Sequence, residues 1–184
     1  MRTMFAFLMV SLDGYHETAD ADLSWHNVDA EFNDFAVEQL DEADTLLFGR
    51  RTFELMAGFW PGPEAAQDDS GVAERMNSYQ KIVVSRTLTS ADWAPTRVIS
   101  DDVPAELRKL KEQPGRDIAL LGSSTLAASL LDLGLIDELR IMVNPVVLGA
   151  GHPVLAGARH TGLELARRRE FRSGNVLLTY RPGA

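Results

Sequence analysis

The stretch that most constrains this chain is Ile118–Asp132, where an unbroken apolar run passes through a single glycine into a helix. Ile118-Ala119-Leu120-Leu121 has no polar break, the pattern of a strand buried on both faces. Gly122 permits a sharp turn, and Ser123, Ser124 and Thr125 follow where a helix begins. Leu126, Leu130 and Leu133 recur at i, i+4 and i+7, which predicts one apolar face, and Gly134 stops the helix. A buried strand feeding straight into a helix start gathers unpaired N–H groups and three hydroxyls at one spot. Such a spot suits an anion, most often a phosphate. The same serines also suit plain helix capping, so this stretch alone leaves both readings open.

The rest of the chain narrows the choice. With 184 residues and 45% apolar content, one domain spanning 1–184 with a substantial core is expected. The absence of cysteine excludes disulfides, thiolate metal sites and a cysteine nucleophile. The longest early apolar run, Phe5–Val10, is far too short for a membrane span or a secretion signal, so a cytoplasmic protein with no membrane partner is expected. A formal charge of -9 opposes a nucleic-acid surface. His16, His26, His152 and His160 are scattered without ligand spacing, so no metal site is expected.

Taken in order, Thr3–Ser11 reads as a buried first strand ended by the turn Leu12-Asp13-Gly14-Tyr15. Thr18–Asn27 is polar and irregular around Trp25, and Asp29 caps a helix over 30–40 whose inward stripe is Phe32, Phe35, Ala36 and Leu40. Strands are predicted at Thr45–Phe48, Lys81–Val84 and Arg97–Ser100, and helices at Phe53–Ala57, Val72–Ser78 and Pro104–Glu112. Gly58–Ser70 reads as a loop, as does Asn144–Leu155. Ile136–Val143 carries Leu139, Ile141 and Val143 at period two with Arg140 opposite, which predicts a strand with one wet side. Leu163–Phe171 and Asn175–Tyr180 form a closing hairpin across Ser173-Gly174. Strand–helix alternation followed by terminal strands implies an α/β fold, mostly parallel, with an antiparallel edge.

Three strand ends carry residues able to hold phosphates: Gly49-Arg50-Arg51-Thr52, Ser85-Arg86 and Gly122–Thr125. In open α/β sheets ligands lie at the carboxyl ends of strands, so the three can line one crevice for an elongated ligand with more than one phosphate. Singly, each is an ordinary loop or a solvated charge. Neither the G-x-G-x-x-G turn nor G-x-x-x-x-G-K-[ST] is present, which excludes the two common nucleotide folds.

The set Ser11–Gly14, Leu47–Thr52, Val83–Arg86, Leu121–Leu126 and Pro145–Gly151 resembles the dihydrofolate-reductase-like superfamily. Within it the chain is most similar to the C-terminal reductase domain of the bifunctional riboflavin-biosynthesis deaminase-reductase. The resemblance implies a three-layer α/β/α fold and an NADPH-dependent reductase of a small heterocyclic substrate. The leading specific activity is that of a 5-amino-6-(5-phosphoribosylamino)uracil reductase; the alternatives are folate reduction and a non-catalytic NADP-binding protein. It also implies roles: Gly49, Arg50 and Thr52 at the adenosine-side phosphates, Ser85 and Arg86 at the adenosine 2′-phosphate, and Gly122, Ser123, Ser124 and Thr125 under the pyrophosphate. Where dihydrofolate reductases carry consecutive glycines, this chain has Gly122-Ser123-Ser124, so hydroxyls stand in for some backbone contacts.

On the substrate side, Trp25, Glu31 and Phe35 are similar to the folate enzymes' tryptophan, helix carboxylate and phenylalanine. Glu31 is then a catalytic or ring-anchoring carboxylate, though a first-turn glutamate equally serves the helix dipole. Asp13 is the second catalytic candidate or a turn residue, and Trp25 covers the nicotinamide or plugs the core. Related reductases pair through their C-terminal strands, which implies a homodimer.

Overall fold

The alternation of short apolar runs with amphipathic segments builds one sheet covered by helices on both sides. The computed structural model describes residues 1–183. Its elements are β1 (Met4–Ser11), β2 (Tyr15–Glu17), α1 (Ala30–Asp41), β3 (Ala43–Gly49), α2 (Arg50–Phe59), α3 (Pro63–Asp68), α4 (Ser70–Ser78), β4 (Gln80–Val84) and β5 (Thr96–Ile99). They continue with α5 (Val103–Glu112), β6 (Asp117–Leu121), α6 (Ser124–Asp132), β7 (Glu138–Asn144), β8 (His152–Pro153), β9 (Leu163–Glu170) and β10 (Val176–Pro182). Eight strands form one sheet in the order β5-β4-β3-β6-β1-β7-β10-β9, and β2 pairs with β8. The strands from β5 through β7 run parallel. The β9–β10 hairpin joins antiparallel through β10 on β7. This is the mostly parallel sheet with an antiparallel end that the strand–helix alternation predicts.

Strand pleating divides the core in two. β1 sends Phe5 and Phe7 to one face, where α1, α2 and α4 contribute Phe35, Phe53 and Met76. It sends Met4, Ala6 and Leu8 to the other, where α5 and α6 contribute Leu107, Leu110 and Leu130. The result is three layers, α/β/α.

Four local readings are corrected by the fold. The segment expected to be a loop at Gly58–Ser70 contains α3, opened by Pro63 and anchored by the fully buried Ala65. It is too short to show a periodic stripe. The expected loop at Asn144–Leu155 contains β8, whose partner β2 starts at Tyr15, the last residue of the expected turn. The inward face of α6 is Ala127, Leu130 and Leu131, while Leu133 is 44% exposed. Alanine brings this helix close to the sheet, and a pattern read from leucines alone is rotated.

Arg140, expected on a wet face of β7, is buried. Its guanidinium lies 3.7 Å from the Phe5 ring centre and pairs with Glu42 at 2.5 Å and Glu138 at 3.1 Å. Buried Glu138 also receives Arg167 at 3.1 Å and Arg181 at 3.3 Å. Burial pushes the Glu138 carboxyl up, but hydrogen bonding and charge from these guanidinium groups outweigh it and hold the group below its ordinary range. The edge strand β9 is almost wholly exposed and attaches through the same chemistry. Besides Arg167, Arg169 reaches Glu38 at 2.6 Å and lies 4.7 Å from the Phe171 ring.

Candidate functional site

Two neighbouring parallel strands, β3 and β6, end side by side and run directly into helices. The N-cap of α2 is Gly49 and that of α6 is Ser123, and neither makes a side-chain cap bond. By contrast, Asp29 caps α1 through Phe32 N and Asp69 caps α4 through Val72 N. The Ser124 amide is spent on Gly122 O at 3.1 Å, and the remaining first-turn amides of α2 and α6 lack a side-chain cap, with both helix dipoles presenting their positive ends.

The two helix starts are tied together. Gly49 N donates to Ser123 Oγ at 2.9 Å, and Ser123 Oγ donates to Leu121 O at 3.3 Å. Ser124 Oγ accepts from Leu155 N at 2.7 Å, which fixes the loop before β9. Both serines are buried, and of the three hydroxyls only that of Thr125 belongs to an exposed residue. The serine hydroxyls thus hold the protein's own backbone in place and are not free for a ligand. Gly122 has φ +64, and a Cβ there would meet Thr52 Cγ2 at 3.3 Å. This position needs glycine for its backbone.

Both helix starts open on a cavity of about 1160 Å³. At one end lie Gly49, Arg50, Thr52, Gly122, Ser123 and Thr125. The other end is apolar. α1 contributes Phe32, Asn33, Ala36 and Gln39, which recur at helical spacing, against Leu55 and Met76 from α2 and α4. Leu55 is 55% exposed and Phe59, on the same wall, 39%.

The charged groups on the wall are largely paired. Arg50 meets Glu54 at 3.2 Å, and Arg51 meets Glu17 at 3.6 Å. Glu17 also lies 3.1 Å from His152 Nδ1, so the β2–β8 ribbon is pinned beside α2. Burial lowers the pKa of His16 and pushes that of His26 down to about 4, so both imidazoles are neutral at pH 7. Two polar atoms of wall residues, His26 Nε2 and Gln39 Oε1, are buried without a hydrogen-bond partner. Among the described residues, no group of three His, Asp or Glu side chains gathers as metal ligands would.

The structure brings Gly49, Arg50, Thr52 and Gly122–Thr125 together on one wall. Ser85 and Arg86 lie beyond that wall, at the end of β4, the strand next to β3. There Ser85 Oγ accepts from Thr87 N at 3.1 Å and Leu88 N at 3.0 Å, and Arg86 is exposed.

The substrate-side candidates are placed elsewhere. Glu31 Oε2 accepts from Arg172 N at 2.9 Å, facing the C-terminal hairpin. Asp13 accepts from Leu148 N at 3.1 Å and Gly149 N at 2.8 Å. Phe35 is core, 5.8 Å from Phe7 and 5.6 Å from Phe171. Trp25 donates to Asp22 O and stands edge-on to His26 at 4.5 Å. None of these four lies on the cavity wall, whereas Phe32, Asn33, Gln39 and His26 do. The stripe 32, 36, 39 was present in the sequence, but α1 is buried on two sides, and periodicity does not separate a core face from a cavity face.

A mostly parallel sheet with an antiparallel end and helices on both faces, its paired helix starts above one cavity, is an α/β domain of the dihydrofolate-reductase-like fold. Residues 2–177 match the RibD C-terminal domain, and the chain belongs to that family of riboflavin-pathway reductase domains. The uncharacterized protein YyaP of Bacillus subtilis (strain 168) is 34% identical over 182 residues, covering 97% of this chain and 94% of YyaP. A protein assigned to riboflavin biosynthesis in Shewanella sp. PV-4 superposes with a TM-score of 0.75 at 22% identity, covering 99% of each chain. Dihydrofolate reductase from Enterococcus faecalis, complexed with NADP(H), superposes with a TM-score of 0.64 at 16% identity, covering 99% of this chain and 97% of that one. At these identities the two structural likenesses are likenesses of fold. No helix among the described residues is long and apolar enough to cross a membrane.

Proposed function

We propose that this protein is a cytoplasmic NADPH-dependent reductase of a small heterocyclic substrate, of the riboflavin-pathway type. The observation that carries the reading is the pair of uncapped helix starts locked together by Gly49 and Ser123 at one end of a cavity whose other end is apolar. The residues present fit the cofactor. The amides of 50–52 and of 125 and 126, and the glycine turn at Gly122, suit a pyrophosphate, with the Thr52 and Thr125 hydroxyls beside them. Ser85 and Arg86, one strand further out, are the groups for the adenosine 2′-phosphate. NADPH, when bound, supplies the hydride. The chain's own part is to fix the nicotinamide against the substrate ring and to keep water away with the apolar wall between α1 and α2.

Glu31 and Asp13 act in this reading as braces: their carboxylates hold the hairpin turn at Arg172 and the loop at Leu148–Gly149. A homodimer through the β9 edge is supported by Leu163 and Leu165, which are 41% and 53% exposed on the edge strand of the sheet. The test is a fluorescence titration with NADPH, followed by NADPH oxidation assays with a panel of heterocycles. Micromolar binding and turnover of at least one compound are expected. No NADPH binding overturns the proposal, and binding without any turnover supports a non-catalytic NADP-binding protein instead.

A further inference from the structure

We propose that His16 is the acid of this site, bonded to the nitrogen or oxygen of the substrate's reducible double bond and giving it a proton. The inference rests on the reductase reading, which supplies hydride but no proton. Glu31 and Asp13 are engaged away from the cavity wall, at Arg172 N and at the amides of Leu148 and Gly149.

Reduction of a C=N or C=O bond puts hydride, with its electron pair, on carbon. The π pair moves to the heteroatom, which then needs one proton. The donor must stand on the cavity wall and exchange a proton near neutral pH, which is the range of imidazole. The wall carries two, His16 and His26. His26 Nε2 is closed off from solvent, and burial keeps that ring neutral down to about pH 4. The wall's carboxylates are engaged or face water. Glu54 pairs with Arg50 at 3.2 Å, Asp69 caps α4 through Val72 N at 3.0 Å, and Asp68 is exposed. Glu17 is held by Arg51 at 3.6 Å and His152 at 3.1 Å. His16, by contrast, is half-buried, and no described residue bonds its ring nitrogens.

The surroundings of His16 suit an acid. Its strand β2 leaves the carboxyl end of β1 by a turn in which Tyr15 N donates to Ser11 Oγ at 3.0 Å. β1 is the neighbour of β6, whose carboxyl end is the Gly122 turn on the same wall. Three titratable or charged groups face the imidazole: Glu17 on its own strand, His152 on β8 with ring centres 6.3 Å apart, and Arg51 in the first turn of α2. Burial lowers the His16 pKa most, Glu17 raises it, and His152 and Arg51 lower it. Phosphate charge at the start of α2, beside Arg51, favours the imidazolium. His16 is therefore neutral in the free protein and takes up a proton when the cofactor binds. After the transfer the neutral ring recovers a proton from water.

Two probes with a reducible C=N bond test this, 5-amino-6-(5-phosphoribosylamino)uracil in its open form and dihydrofolate. NADPH oxidation is followed with each, from mildly acidic to mildly alkaline pH, for the parent and for His16→Gln, which stays polar but cannot titrate. The parent's kcat should fall as pH rises. His16→Gln should lose about 10²-fold in kcat together with that pH dependence, while KM and NADPH affinity stay within about threefold. His16→Asn repeats the measurement if the glutamine variant is unstable. An NMR titration of the His16 ring, without turnover, gives a second readout. Its midpoint should rise by about one unit, tenfold in proton affinity, when 2′-phospho-ADP-ribose is bound, the cofactor skeleton without its nicotinamide. Unchanged kcat and pH dependence in the variants, or a midpoint that the bound skeleton does not raise, overturns the assignment and leaves the reductase reading standing. A parent that turns over neither probe removes that reading, and the assignment with it.

Discussion

The backbone amide of Gly49 donates to the Ser123 hydroxyl at 2.9 Å, so the first turn of α2 and the first turn of α6 are held by a single oxygen. That oxygen also bonds the Leu121 carbonyl, which closes a bridge between the ends of β3 and β6. The bridge sets the spacing of two positive helix ends. A diphosphate spanning them meets a prearranged site instead of ordering one on binding.

Ser123→Ala leaves the Gly49 amide without its acceptor. A buried donor left bare costs about 1–3 kcal/mol, so urea unfolding should show a loss of that size. NADPH affinity should fall as well, by about tenfold, because the helix starts lose their common anchor. Unchanged affinity in a titration, with stability reduced, would show that the bridge only supports the fold.

The two glycines of the site separate by their geometry. Gly122→Ala forces a left-handed backbone at φ +64 and brings a Cβ to 3.3 Å from Thr52, so it should destabilise by about 1–2 kcal/mol even without ligand. A Cβ at Gly49 would meet its nearest atom, Ser123 Oγ, at an ordinary 3.7 Å. Gly49→Ala should therefore melt close to the parent yet bind NADPH less well, since the added methyl stands where a phosphate approaches. A pair of melting curves and titrations checks both.

Arg86 is exposed beside the end of β4. A charge-assisted hydrogen bond to the 2′-phosphate contributes about 1.5–3 kcal/mol, so Arg86→Ala should weaken NADPH binding roughly tenfold to a hundredfold. NADH, which lacks that phosphate, should be almost indifferent. Equal losses for both cofactors would remove Arg86 from the site.

His26 makes stability depend on acidity. Its folded pKa is lowered to about 4 by burial, against an ordinary 6.5. Between those values the unfolded chain binds the proton and the folded chain does not. The contribution is therefore complete above pH 6.5 and is lost as pH falls toward 4. From pH 7 to pH 5 the parent should lose about 1–2 kcal/mol that His26→Phe does not lose, as read from urea unfolding at the two values.

Glu31→Gln keeps the size of the side chain and an acceptor for Arg172 N while removing the charge that meets the Arg172 guanidinium at 3.7 Å. An exposed pair of this kind and a first-turn carboxylate each contribute about 1 kcal/mol or less. Turnover should stay within about twofold. A fall of a hundredfold with unchanged NADPH affinity would instead assign Glu31 to proton transfer.

The strand ends were legible in the sequence because local chemistry dictates them. An apolar run, a glycine and a helix-start residue make the same structure wherever they occur, so Gly49–Thr52 and Gly122–Thr125 meet on one wall as expected. The part of the cavity lined by α1 was not legible, because it is made by faces rather than by motifs. Phe32 and Phe35 are equally apolar and three residues apart, yet one lines the cavity and the other packs on Phe171. Arg140 misled for the opposite reason. A charged residue in an alternating strand implies water unless its partners are known, and Glu42 lies 98 residues away in the chain. Long-range ion pairs leave no trace in local periodicity.

The arginines that fasten β9 make the last strand of the sheet unlike the others. Its neighbours are held by side chains removed from water, an attraction that salt strengthens or leaves alone. Beyond its backbone ladder with β10, its side-chain hold comes from Arg167 on Glu138 and Arg169 on Glu38, contacts between charges that dissolved ions screen. As ionic strength rises, amide hydrogens of β9 should exchange with solvent sooner while those of β1 and β6 keep their protection, so the sheet loosens from one side only.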